Sequence, residues 1–205
     1  MPFSLGPDDR PGVEHMIKKS RFIARLRMAE SEEAAVDFIA STRTADRGAR
    51  HHCFAYVIGD DKESRIERSS DDGEPGGTAG MPMLNALKAH DLVNVVAVVS
   101  RYFGGIKLGA GGLSRAYGGA VTAVIETATL RPRISWQVFD LAADHADAGR
   151  VEAELRARGF EVADVAYGER ATLTVMCTDE TRLHTVVDEL TSGAGELHHV
   201  RRVWR

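Results

Sequence analysis

Residues 94–121 read NVVAVVSRYFGGIKLGAGGLSRAYGGAV, and the reading of this stretch decides the first half of the fold. The run NVVAVVSRYF is apolar on both faces of an extended chain, as a central strand covered on both sides must be. Seven of the 18 residues that follow are glycine. Glycine loses more freedom on ordering than any other residue, so its concentration here needs a physical reason. A strand, a glycine-rich turn and a helix in succession can cradle phosphate, because backbone N–H groups and the helix N-terminus both favour an anion. Lys107, Ser114 and Arg115 add polar groups around that helix start, placed near Gly111. The spacing matches neither the P-loop nor the dinucleotide fingerprint. Close packing of the helix on the sheet is the competing reading for Gly118 and Gly119, each of which costs about 1 kcal/mol relative to alanine inside a helix. Arg101, Tyr102 and Phe103 end the apolar strand, where sites gather in open α/β sheets, and join the candidate surface.

Working outward, DDGEPGGTAGMP (71–82) is dense in turn formers and precedes a helix with Met81, Leu84 and Leu87 on one side, running behind Pro82 in its first turn. Asp71, Asp72 and Glu74 fit a structured loop, a partner-contact loop or an acid–base or metal site; their spacing is not that of an EF-hand. HHCFAYVIG (51–59) and SRIERSS (64–70) read as strands, and SEEAAVDFIASTR (31–43) as a helix capped by Ser31. In KKSRFIARLR (18–27), Lys19, Arg21, Arg25 and Arg27 fall on odd positions, and Phe22, Ala24 and Leu26 on even ones. A strand would bury the second set and present four cations on the other face, either to solvent or to an anionic partner. The helix after the glycine loop is expected to run to about Leu130, where RPRISW (131–136) changes the grammar.

From there a βαββαβ pattern begins, with strands expected near 134–142, 160–167, 170–177 and 196–203 and helices near 147–158 and 179–191. Gly159 and Gly193 close the helices, and YGER turns the middle hairpin. This is the ferredoxin-like, split βαβ order. The expected class is α+β, with domains at 1–131 and 132–205.

The bulk numbers fit an ordinary globular protein: 205 residues, 43% hydrophobic, 27% charged. A formal charge of -4 argues against a nucleic-acid clamp made of the whole molecule, though not against a local basic patch. No apolar run reaches the roughly 18 residues of a membrane span, and MPFSLGPDDRPG lacks the layout of a secretory signal, so a cytoplasmic address is expected. Cys53 and Cys177 are read as reduced core residues. His51 and His52 are neighbours on a strand and face opposite ways, as do His198 and His199, so neither pair chelates one ion simply. No nucleophile, metal or cofactor is expected.

IKKSRFIA, HHCFAYV, SSDDGEPGGTAGMPML and VVSRYFGGIKLGAGGLSRAYGGAV, in that order across most of positions 13–130, resemble the YigZ/IMPACT family in its bacterial two-domain form. The resemblance implies an N-terminal domain similar to domain IV of elongation factor G and to the second domain of a small-subunit ribosomal protein. It implies a C-terminal domain similar to domain V of the same factor. Those relatives work on the ribosome, and eukaryotic family members regulate translation through a starvation-responsive kinase pathway, with the help of an additional N-terminal RWD domain. Here the motifs begin almost at once with VEHMIKKSRFIA, which leaves no room for that domain, so the kinase-pathway role is not expected to transfer. The resemblance carries no catalytic residues.

Three functions stand. The first is a non-enzymatic, translation-associated regulator or binding module that contacts the ribosome, RNA or a translation factor. Lys19, Arg21, Arg25, Arg27, Arg101, Lys107 and Arg115 would meet nucleic acid or another anion. Asp71, Asp72, Glu74, Gly104, Gly105, Gly109, Gly111 and Gly112 would form a conformational or partner loop. The alternative is an enzyme acting on a phosphorylated small molecule, clamped by Arg101 and Arg115, with Asp71 or Glu74 as base or metal ligand. A protein–protein adaptor is the third. Convergence of the acidic and glycine loops on one concave pocket would favour small-molecule chemistry; a flat basic face would favour a macromolecule.

Overall fold

The computed structural model describes all of residues 1–205, in two compact units at Met1–Arg133 and Ile134–Arg205. The first is built on five strands: β2 (Gly12–Ile17), β3 (Ser20–Met28), β4 (His51–Ile58), β5 (Ile66–Ser70) and β6 (Val95–Tyr102), with a two-residue β1 (Phe3–Ser4) outside that sheet. Their spatial order is β2-β3-β6-β4-β5, antiparallel at each pairing. The apolar run therefore becomes the central strand, as its two-faced hydrophobicity requires.

Helices α1 (Glu32–Ala45), α2 (Gly80–Ala89) and α3 (Ala110–Glu126) cover the two faces. Val95, Ala97 and Val99 of β6 enter a core with Met83 and Leu87 of α2 and Tyr117 and Val121 of α3. Val96 and Val98 point the other way, onto Ala35 and Ile39 of α1. Strand β3 keeps the expected alternation: Phe22, Ala24 and Leu26 are buried on the α2/α3 side, and the intervening arginines are half-buried. Phe22 meets Tyr117 edge-on, with centroids 5.2 Å apart, a geometry worth about 0.5–1.5 kcal/mol beyond the area it buries. Ser31 caps α1, its Oγ accepting the Ala34 N–H at 3.1 Å.

Three expectations need correction. Met81 lies outside the apolar face of α2 and is 48% exposed, whereas Met83, Leu84 and Leu87 are buried. Helix α3 stops at Glu126 because the chain then turns into β7 (Arg131–Pro132), which pairs with β1. The packing account of the paired glycines holds for neither against the sheet. Gly118 faces Pro82 of α2, where an added Cβ would sit 3.5 Å from the Pro82 carbonyl oxygen, and at Gly119 an added Cβ would meet nothing within 4 Å. Gly119→Ala is therefore expected to stabilise the protein by up to about 1 kcal/mol in urea denaturation. A loss of stability there would mean that the helix needs its glycine for a contact absent from this geometry.

The second unit comprises β8 (Ser135–Ala143), α4 (His145–Ala157), β9 (Glu161–Tyr167), β10 (Ala171–Cys177), α5 (Glu180–Thr191) and β11 (Glu196–Trp204). The strand order β11-β8-β10-β9, all antiparallel, is the split βαβ arrangement. Phe139, Leu141, Leu155, Leu173 and Leu183 form its core. Both cysteines are free and buried, and burial pushes their thiols up to about 12 at Cys53 and about 11 at Cys177.

Candidate functional site

Arg101 sits on the α2/α3 face of β6, opposite Phe22, at the point where the apolar core ends. A guanidinium there must be paired, because an uncompensated charge taken out of water is costly. Glu74 supplies the partner: its Oε1 accepts from Arg101 at 2.6 Å and from the Tyr117 hydroxyl at 2.7 Å. The Arg101 and Glu74 side chains are only 5% and 4% exposed. Burial above all pushes the Tyr117 hydroxyl far up, so it stays protonated and remains the donor. Ser20 Oγ accepts from Arg101 at 3.4 Å and from the Gly104 N–H at 3.2 Å, joining the start of β3 to the glycine loop.

The acidic loop is held from within. Asp71 accepts the N–H groups of Gly77, Ala79 and Gly80 at 2.7, 2.8 and 2.8 Å, and so caps α2 from a distance, since the methyl group of the N-cap residue Ala79 cannot accept a hydrogen bond. Asp72 accepts from Arg43 at 2.6 Å and from the His52 N–H at 2.6 Å. The three acids thus serve three different partners. No three His, Cys, Asp or Glu side chains gather closely enough to hold a metal ion. Burial pushes both aspartates up, but it is outweighed, at Asp71 by the three backbone N–H groups and at Asp72 by Arg43 and the His52 N–H. Both carboxyls therefore titrate below their ordinary value of 3.8. A carboxylate with a depressed folded pKa contributes stability that is fully present above the unfolded value and is lost as pH falls through the folded one. The loop is accordingly expected to open below about pH 4. Amide hydrogen exchange across that range checks this: in wild type the Gly77, Ala79 and Gly80 N–H groups should lose protection only on acidification. In Asp71→Asn they should already exchange freely at pH 5.

Gly104 has no room for a side chain: a Cβ there would lie 1.9 Å from the Lys19 carbonyl oxygen. The glycine loop is thereby pressed against the β2–β3 turn. That turn is Lys18-Lys19, with φ of 46° and 65°, so the two-residue hairpin is made with two lysines where asparagine and glycine are usual. Positive φ in non-glycine residues is a strain that accumulates at functional sites.

Between these pieces lies a cleft of about 420 Å³. Glu74 and Pro75 of the acidic loop form one side, and Lys107, Leu108 and Gly109 of the glycine loop another. Arg50, His51, Arg101 and Phe103 contribute from the ends of β4 and β6, and α3 begins at its edge with Ala110 and Leu113. The two loops do converge on one concavity. The His51 Nδ1 lies 2.8 Å from the Asp72 carbonyl oxygen, a contact that fixes the ring beside the cleft.

The sequence-predicted cations divide sharply. Arg21 pairs with Glu14 at 3.8 Å and lies over the Tyr102 ring, Arg25 is bound to Asp46, and Arg27 lies over the Phe38 ring. They knit the α1 side of the sheet and do not line the cleft. Lys19 is in the turn, not on the strand. Gly111 and Gly112 belong to the first turn of α3, not to the loop that Gly104, Gly105 and Gly109 shape. Lys18, Lys19, Arg50, Lys107 and Arg115 form no ion pair: Arg50 and Lys107 line the cleft, Lys18 and Arg115 an adjoining depression that shares Leu108 with it, and Lys19 lies in the turn whose carbonyl abuts Gly104. Lys18, Arg50 and Tyr117 were not foreseen; no local motif marks them, since each acquires its place only when β3, β4, β6 and α3 are assembled.

This architecture and this site define a two-domain α+β protein with a basic cleft at one end of its N-terminal sheet. Residues 18–125 match the Impact N-terminal domain, and residues 141–194 match a domain of unknown function, DUF1949. The chain belongs to the IMPACT family. It is 40% identical over 186 residues to the IMPACT family member YvyE of Bacillus subtilis (strain 168), covering 90% of this chain and 85% of that one. It is 43% identical over 143 residues to the family member YigZ of Escherichia coli (strain K12), covering 70% of each. A crystal structure described as that of a hypothetical protein superposes with a TM-score of 0.65 at 34% identity, over 98% of both chains. No helix is long and apolar enough to cross a membrane.

Proposed function

We propose that this chain is a translation-associated binding module that contacts ribosomal RNA through the end of the N-terminal unit where α3 begins. The observation that carries this reading is the division of the cations: on β3, Arg21 and Arg25 have acidic partners and Arg27 lies over Phe38, while Arg50 and Lys107 at the cleft, Lys18 and Arg115 at the depression beside it, and Lys19 in the turn against Gly104 form no ion pair. Unpaired cations grouped on one surface are the footprint of phosphate contacts, which give affinity that falls steeply with salt. The family motifs support the ribosome as the source of that phosphate, because the resemblance implies relatives that work there. Co-sedimentation of the full chain with ribosomes at low and moderate salt tests the reading. Salt-sensitive co-migration that Lys18→Ala/Lys19→Ala/Lys107→Ala abolishes is expected; absence of co-migration at low salt would overturn it.

The concavity of the cleft favours a second reading, an enzyme acting on a phosphorylated small molecule. Its wall offers one carboxylate, Glu74, already engaged by Arg101 and Tyr117, and the thiol of nearby Cys53 is pushed up to about 12 by burial. Turnover of a phosphorylated metabolite that is lost in His51→Ala would establish it over the first.

A further inference from the structure

The cleft combines two features that together fit one chemical class of ligand. The first is a ready anion site. Helix α3 is 17 residues long, its N-cap Gly109 offers no side chain, and no acid stands in its first turn. Its leading N–H groups and its dipole therefore favour an oxyanion. Lys107 and Arg50 stand in the same cleft without ion pairs. Arg101 forms part of the wall, is 4% exposed, and leaves its Nε without any hydrogen-bond partner. A buried guanidinium N–H without an acceptor is uncommon, and it leaves Arg101 with one unused donor beside the anion site. Glu74 does not oppose an anion, because Arg101 neutralises it.

The second feature is an apolar side. Phe103 is 45% exposed at the cleft, beside Leu108 and Pro75. An exposed ring next to a phosphate-type site is a platform on which a base can stack. The volume of about 420 Å³ falls within the range of small-ligand sites.

We propose that this cleft holds one nucleotide, with its phosphate at the α3 N-terminus between Lys107 and Arg50 and its base against Phe103. This deepens the RNA-contact reading and rests on it for the source of the nucleotide, because a unit of an unpaired RNA strand and a free mononucleotide share the recognised chemistry.

Isothermal titration calorimetry of the full chain with AMP, adenosine, inorganic phosphate and single-stranded oligoadenylate tests it. AMP should bind at least about tenfold more tightly than adenosine or phosphate alone. Phe103→Ala should weaken AMP about tenfold and leave phosphate unchanged, and Lys107→Ala should weaken both about tenfold. Gly111→Asp places a carboxylate in the first turn of α3, where an added Cβ meets only the end of Arg115. It should abolish AMP binding with a melting temperature equal to or above wild type, which separates a blocked site from a damaged fold. Equal affinity for phosphate and AMP, or AMP affinity untouched by Phe103→Ala, would overturn the assignment. Oligoadenylate binding tenfold tighter than AMP identifies an RNA strand as the source; equal affinity identifies the free nucleotide. If ribosomes co-sediment while neither AMP nor oligoadenylate binds, the nucleotide site falls and the translation reading stands. AMP binding without co-sedimentation gives the reverse.

Discussion

Glu74→Ala is expected to destabilise the N-terminal unit by about 3–5 kcal/mol, because removing one member of a buried ion pair strands the other. Arg101 would remain against Phe22, with its guanidinium carbon 5.3 Å from the ring centroid, and the Tyr117 hydroxyl would lose its acceptor. The pair is not the most stabilising use of that space: well-packed apolar residues of similar volume often do as well. The double variant Glu74→Leu/Arg101→Met should therefore recover much of what Glu74→Ala loses. Both tryptophans, Trp136 and Trp204, lie in the C-terminal unit, so urea denaturation is best followed by far-UV circular dichroism. A loss below about 1 kcal/mol, the worth of an exposed pair, would contradict the burial of this one.

Gly104→Ala carries the second large effect. The added methyl group would meet the Lys19 carbonyl oxygen at 1.9 Å, its carbon at 2.0 Å and the Ser20 nitrogen at 2.5 Å. All three are backbone atoms, so no rotamer change relieves the clash, and the β2–β3 turn and the glycine loop must separate. Overpacking of this kind costs about 1–3 kcal/mol and sometimes more. The neighbouring Gly105 is the control. Its φ of 86° disfavours a side chain, but the space around it is open, so Gly105→Ala should cost only about 1–2 kcal/mol of backbone strain and leave the turn in place. The Gly104 amide, bonded to Ser20 Oγ, should exchange faster in Gly104→Ala than in Gly105→Ala. Wild-type stability and exchange in Gly104→Ala would show that the turn is free to move, and the cleft would then lack a fixed wall.

These two positions also show what a sequence can and cannot disclose. Periodicity placed β6 at the centre of its sheet and assigned Phe22, Ala24 and Leu26 to the core, because burial on a strand is dictated by alternation. The same alternation put Arg21, Arg25 and Arg27 on the opposite face but said nothing of what covers it; Asp46 and Phe38 arrive there from α1 and its end. Lys18 and Lys19 read as strand because a tight hairpin turn is signalled by glycine or asparagine, and this one has neither. The glycine stretch proved to hold two unlike cases. Gly104 is demanded by a backbone contact with a residue 85 positions away, and Gly119 by nothing around it. The cleft itself joins residues 50, 74, 101 and 107, a juxtaposition that no local pattern encodes.

The most direct measurement sets the two classes of cation against each other: the slope of log affinity for ribosomes against log salt, for wild type, Lys107→Ala and Arg21→Ala. If the unpaired cations meet phosphate, Lys107→Ala should lower the slope by nearly one unit while Arg21→Ala, already engaged by Glu14, leaves it unchanged. A slope lowered by Arg21→Ala and untouched by Lys107→Ala would place the contact on the β3 face and contradict the cleft as the binding end of the molecule.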